Sequence, residues 1–113
     1  MTGAMLALIL SGWLMTADIQ QTDYEDLGMC RITTYCPSCN DGAGHASSSG
    51  VYLEYGHAAC RWLPNGTVID IEGEEFVIVD TCGTDAIDIF VDTDTCRCDL
   101  NEYKHVMIKR SAK

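Results

Sequence analysis

Apolar and polar side chains alternate in five short runs: RITTY over 31–35, TVIDI over 67–71, EFVIV over 75–79, AIDIFV over 86–91 and YKHVMIK over 103–109. A period of two, in runs rich in β-branched residues, predicts strands with one face toward a core. Turn-forming clusters separate the runs: NDGAG at 40–44, SSSG at 47–50, PNG at 64–66, EG at 72–73 and CG at 82–83. Glu72 and Gly73, between the second and third runs, predict a tight hairpin. Asp99 to Glu102 has the spacing of a capping box and predicts a helical turn, but no long apolar face follows it. There is no internal repeat or low-complexity tract. The pattern predicts a mostly β domain, and short strands with Gly-rich turns favour a small closed barrel over an open sheet.

Residues 1–17 do not fit this pattern. They hold no charged side chain and contain the apolar run Ala4 to Leu10. A bilayer-spanning helix needs about 20 apolar residues, so this run is too short to cross a membrane. It suits the apolar part of a secretory leader cleaved near Thr16-Ala17, although no Lys or Arg precedes it; a short buried N-terminal helix is the alternative. Residues 18–29 are polar and read as a linker, which leaves 30–113 as the folded domain. The expected location is therefore secreted or wall-associated, with no stable membrane span in the mature chain.

Size and charge narrow the function. At 113 residues the chain makes one small domain. Its formal charge is −10, and of its seven Lys and Arg, Lys104, Lys109, Arg110 and Lys113 gather at the C-terminus. That balance excludes the basic footprint of a nucleic-acid binder.

Seven cysteines, Cys30, Cys36, Cys39, Cys60, Cys82, Cys96 and Cys98, crowd into the stretch from 30 to 98. Such density is typical of small exported domains stapled by disulfides, with one thiol left over or paired between chains. Zinc is a rival, because Cys36-Pro-Ser-Cys39 has the gap of a zinc knuckle. Cys96-Arg-Cys98 has the wrong gap for the second half, and His45 and His57 are scattered. Free thiols are a third reading.

The stretch VDTCGTDAIDIFVD, residues 79–92, threads four aspartates through apolar residues. Burying a polar group without a partner costs roughly 2–7 kcal/mol, so these positions call for an explanation. Asp85 and Asp92 read as solvated loop and strand-end residues. Asp80 suits either a capped turn or a functional carboxylate. For Asp88, alternation sets Ile87, Ile89 and Val91 on one face and Ala86, Asp88, Phe90 and Asp92 on the other. That second face is either solvated or a cleft, and Phe90 argues for a cleft. A calcium loop over Asp92, Asp94 and Asp99 lacks the glycine and terminal Glu of an EF-hand. No metal or cofactor is expected.

Five segments occur in the order of a known family: RITTYC at 31–36, SSG at 48–50, LPNGT at 63–67, VDTCG at 79–83 and IDIF at 87–90. The chain resembles the 3D domain, a family named for three aspartates, over roughly residues 31–110. AACRWLPNGT, residues 58–67, is also similar to the rare lipoprotein A barrel. The resemblance implies a six-stranded double-psi β-barrel with short helical turns. It further implies a peptidoglycan lytic transglycosylase, a wall-active relative of the glycan hydrolases, from a bacterium or a bacteriophage. Such an enzyme cleaves the β-1,4 bond between N-acetylmuramic acid and N-acetylglucosamine. Several positions depart from the family. Ala59 stands where the first aspartate is usual, Thr84 replaces the second loop glycine, and Cys60 replaces the lipoprotein-like histidine. Residues 93–99 replace a short helix.

By this resemblance Asp88 is the catalytic acid/base and Asp80 its partner, with Thr81 and the backbone N–H groups around Gly83 orienting Asp80 or the substrate. Tyr35 matches the family tyrosine at the strand end and is the first choice for the groove. Trp62, Tyr52 and Tyr55 either stack on sugar rings or fill core and turns. Arg61 either meets a peptide-stem carboxylate or pairs with acidic neighbours. His45 and His57 read as solvated loop residues. The expected partner is a peptidoglycan glycan strand, bound by a monomer. The alternatives are a non-catalytic, expansin-like polysaccharide-binding barrel and a disulfide-stapled structural or inhibitory module.

Overall fold

A computed structural model describes residues 22–92 and 100–111. Six strands form a closed barrel: β1 (Thr22–Tyr35), β2 (His57–Ala59), β3 (Val68–Ile71), β4 (Glu74–Asp80), β5 (Ile87–Phe90) and β6 (Asn101–Ser111). Around the barrel they run β1-β5-β2-β4-β3-β6. The β1/β5 and β2/β4 pairs are parallel and the other four are antiparallel. Closure pairs each strand with two neighbours, although the outer half of β1 pairs with β6 alone. Helix among the described residues is limited to a 3-10 turn at Pro37–Cys39.

The predicted hairpin joins β3 to β4. Ile71 pairs with Glu74, and Glu72 and Gly73 both take positive φ, +53° and +95°. Two consecutive positive φ values match the right-handed twist of the flanking strands, and Gly73 adopts its value without a Cβ penalty. Asp70 Oδ1 accepts from the Gly73 N–H at 2.8 Å and holds the turn.

Three expectations change. Residues 22–29, polar enough to read as linker, are the first half of β1 and pair in register with β6. Their polarity reflects an exposed ribbon, bent where the register shifts between Asp26 and Gly28; Gly28 has φ +75° there. The helical turn expected to end at Glu102 is absent at Asn101 and Glu102, which belong to β6 because they pair with β1. Strand β2 was not anticipated at all, since three residues are too few for alternation to register. The leader at 1–17, and Asp94, Cys96, Cys98 and Asp99, lie outside the described residues. Among the described residues no helix is long and apolar enough to cross a membrane.

The core has two parts. Ile32, Ile69, Ile78, Ile87, Ile89 and Val106 fill the barrel interior. Tyr35, Leu53, Ala59, Val79 and Phe90 form a second cluster. The loop between the 3-10 turn and β2 covers this cluster: Leu53 is fully buried in it, and the His45 ring lies 5.5 Å from that of Phe90. Ser49 Oγ also donates to the Val79 carbonyl at 2.6 Å. Both faces of β5 are therefore buried, and the face bearing Asp88 and Phe90 is not a solvated one.

The described cysteines divide. Cys39 is disulfide-bonded. Cys30, Cys60 and Cys82 are free thiols, contrary to their expected pairing. Cys60 is buried in the barrel core, Cys30 packs against that core, and the Cys82 thiol points at the Ala86 carbonyl 3.4 Å away. Small apolar packing explains them better than cross-linking does. Cys36 is buried with its sulfur 3.5 Å from that of Cys39. No group of three or more His, Cys, Asp or Glu suited to a metal ion occurs among the described residues.

Candidate functional site

At one end of the barrel a cleft of about 420 Å³ is lined by Tyr35, Ala59, Asp80, Thr81, Cys82 and Asp88, with the Cys39–Asp41 segment at its lip. Three strands converge there. Ala59 of β2 is in register with Asp80 of the parallel β4 and with Asp88 of the antiparallel β5. At about 4.8 Å per strand spacing, the two aspartates sit roughly 10 Å apart along the backbone row, with Ala59 between them. Ala59 is thus the centre of the row, and its side chain there is only a methyl group.

Asp80 is the described polar residue that is buried, with 6% of its surface exposed. Its burial is matched by donors. Oδ1 accepts from the Ser48 N–H at 2.8 Å and the Thr81 N–H at 2.9 Å, and Oδ2 accepts from the Tyr35 hydroxyl at 3.2 Å. The SSG turn at 48–50 therefore serves to bring a backbone donor onto Asp80. Burial and the Asp80 charge push the Tyr35 phenol far above its ordinary pKa, which keeps it a donor.

Asp88 is held more loosely. It is half-buried, and Oδ1 accepts from Thr33 Oγ1 at 2.8 Å. Thr33 faces Asp88 because β1 and β5 run parallel with these two residues in register. Burial raises the Asp88 pKa above its ordinary value; the Thr33 bond opposes this, the Asp80 charge adds to it, and Arg31 opposes it. A half-buried carboxyl with a second carboxylate near it is an arrangement that favours the protonated form.

The other expected site residues are distributed differently. Thr81 and Gly83 line the cleft beside Asp80, and the Thr81 N–H is spent on Asp80. Tyr35 is buried in a T-shaped contact with Phe90 at 5.2 Å and donates to Asp80, so little of its ring is open to a sugar. Arg61 is committed: Nε and Nη2 donate to Asp85 Oδ1 at 3.1 and 2.6 Å, and Nη1 donates to the Gly83 carbonyl. Asp85, expected to be merely solvated, is thus the anchor of loop 81–86. Trp62 lies outside the acidic cleft, with Nε1 donating to the Asp85 carbonyl at 2.9 Å. His45 and His57 do not line the cleft. His45 stacks on Tyr52 and bonds the Leu53 carbonyl, while His57 Nδ1 accepts from the Glu54 N–H. Tyr55 donates to Glu74 at 2.7 Å at another surface, which pushes its phenol up to about 12.

Thr33, Ser48 and Arg31 escaped sequence reasoning. Thr33 and Arg31 alternate with Ile32 on the strand that carries Tyr35, so the signal existed, but only the β1/β5 pairing aims it at Asp88. No family model matches the chain, and no curated protein or solved structure matches it.

Proposed function

We propose that the protein is an exported cell-wall enzyme of the lytic transglycosylase type, cleaving the MurNAc–GlcNAc β-1,4 bond with Asp88 as its acid/base. The observation that carries the proposal is Asp88 itself: a half-buried carboxyl with raised proton affinity, facing a cleft it shares with Asp80. The double-psi form of the barrel belongs to the same reading. It is supported by six strands closing with two parallel pairs, β1/β5 and β2/β4.

One carboxyl suffices for this chemistry. Protonated Asp88 delivers its proton to the glycosidic oxygen as the bond to the anomeric carbon breaks. The resulting carboxylate removes the proton from the C6 hydroxyl of the muramoyl residue, whose oxygen closes on the anomeric carbon to give the 1,6-anhydro product. No water is consumed, which separates this route from hydrolysis with two working carboxylates. Thr33 orients Asp88 through Oδ1 and leaves Oδ2 for proton transfer. Asp80, saturated by three donors, positions the cleft loop and supplies the charge that favours the protonated form of Asp88.

Ala59 favours a second reading, a non-catalytic barrel that binds wall polysaccharide. Its methyl group stands between the two aspartates where the family has a third carboxylate. The net charge of −10 also opposes long-range attraction to an anionic wall. One experiment separates the two. Purified protein is incubated with peptidoglycan and the products are analysed by mass spectrometry. The enzyme reading expects 1,6-anhydro muropeptides that fall about 10²–10⁴-fold with Asp88→Asn, the usual contribution of a general acid or base. Product that survives the substitution removes Asp88 from the mechanism. Retention on sacculi without product selects the binding barrel.

A further inference from the structure

Loop 81–86 is a wall shared by two concavities. Gly83 lines the acidic cleft, while Asp85 lines a second pocket of about 550 Å³ together with Met29, Arg31, Trp62 and Tyr103. The loop is bolted in place by the Arg61 and Trp62 hydrogen bonds, so the pocket wall is preformed. Trp62 and Tyr103 are 41% and 64% exposed, and Met29 is 62% exposed. An indole held by its N–H, with part of its surface open to solvent, suits the apolar face of a pyranose or an acyl group.

The charges in this pocket are unequal in availability. Asp85 is neutralised by the Arg61 fork. Arg31, beside Tyr103 in the β1/β6 register, makes no side-chain hydrogen bond or ion pair with any described residue. The two other described arginines, Arg61 and Arg110, are each paired with a carboxylate. A half-buried arginine whose fork meets no described partner, next to two aromatic rings, suits a planar anion, above all a carboxylate. Its influence on Asp88 places that charge within electrostatic reach of the acidic cleft.

We propose that the Arg31–Trp62–Tyr103 pocket is a subsite for the carboxylate-bearing peptide stem of a muramoyl residue, with Arg31 taking the carboxylate and Trp62 the acyl or sugar face. The inference rests on the wall-glycan reading above and replaces Arg61 with Arg31 as the residue that meets the stem. It also explains how a chain of net charge −10 accommodates an anionic ligand: the cation is local and unpaired among the described residues.

The test is a titration of the isotope-labelled protein with N-acetylmuramyl-alanyl-glutamate and with the same compound amidated at its carboxyls, read from the Trp62 indole N–H resonance. The acid form is expected to bind roughly tenfold more tightly, the range of one charge-assisted hydrogen bond, and to weaken with added salt. Arg31→Gln abolishes the preference, Arg31→Lys keeps part of it, and Trp62→Ala weakens both ligands. Equal affinity for acid and amide, an unchanged preference in Arg31→Gln, or no binding of either ligand would overturn the proposal. Asp88→Asn should keep the preference for the acid form while sharply lowering turnover. Intact preference without cleavage of sacculi therefore sinks the catalytic reading alone, and cleavage with indifference to the carboxylate sinks the subsite alone.

Discussion

The barrel interior and the cluster beneath the 36–56 loop are made from similar strand residues and do different work. Inside, Ile32, Ile69, Ile78, Ile87 and Val106 belong to an apolar cluster that packs the six strands together. Beneath the loop, Tyr35, Leu53, Ala59, Val79 and Phe90 bring a long irregular segment down onto the sheet, and polar groups come with it. Ser48 reaches Asp80 from a segment that Leu53, His45 and Ser49 tie to the sheet. A purely apolar interior can be solved by shape. The second layer must also satisfy a buried carboxylate, and that requirement leaves a cleft at its margin.

Four substitutions test this contrast, from the largest effect to the smallest. Phe90→Ala removes the fully buried ring that contacts both Tyr35 and His45. It should cost about 3–5 kcal/mol in denaturant unfolding, as large as a cavity in the barrel interior. A cost below about 1 kcal/mol would mean that the second layer is a loose cover rather than a core. Ala59→Asp places a third carboxylate between the existing two at a buried position. The expected loss is on the order of 3 kcal/mol at neutral pH, shrinking on acidification as the added group takes a proton. A pH-independent loss would show steric crowding instead.

Tyr35→Phe deletes one of the three donors to Asp80 and should cost about 1–3 kcal/mol, because the acceptor stays buried. Its ring packing on Phe90 survives, so the loss reports the hydrogen bond. Asp88→Asn should have the smallest effect on stability, and with the opposite sign. The folded pKa of Asp88 is raised above the ordinary 3.8, so the fold binds its proton where the unfolded chain has released it. Stability from this group is full below the unfolded value and is lost as pH rises through the folded value. The substitution should therefore raise Tm at neutral pH, with the gain vanishing below about pH 4. A lowered Tm at neutral pH would indicate that the Thr33 bond outweighs burial.

Much of the barrel is legible in the chain. The β3–β4 hairpin follows from Glu72-Gly73, and β5 follows from the alternation in AIDIFV. The two half-strands 22–29 and 101–102 are not legible, because exposed ribbons carry no apolar period. Nor is the fate of Cys60 or Cys30, since a small sulfur-bearing side chain packs in a core as readily as it forms a bridge.

By itself the sequence determined the strands, the tight turns and the presence of two aspartates flanking a Gly-containing loop, all features set within a few residues by side-chain period and backbone preference. Tertiary structure decided what those aspartates are. Strand pairing put Thr33 on Asp88 and Ala59 between Asp88 and Asp80, the loop brought Ser48 to Asp80, and Arg61 was drawn to Asp85 while Arg31 pairs with no described residue. Each of those outcomes depends on which distant groups share a low-dielectric neighbourhood, and no local pattern encodes that.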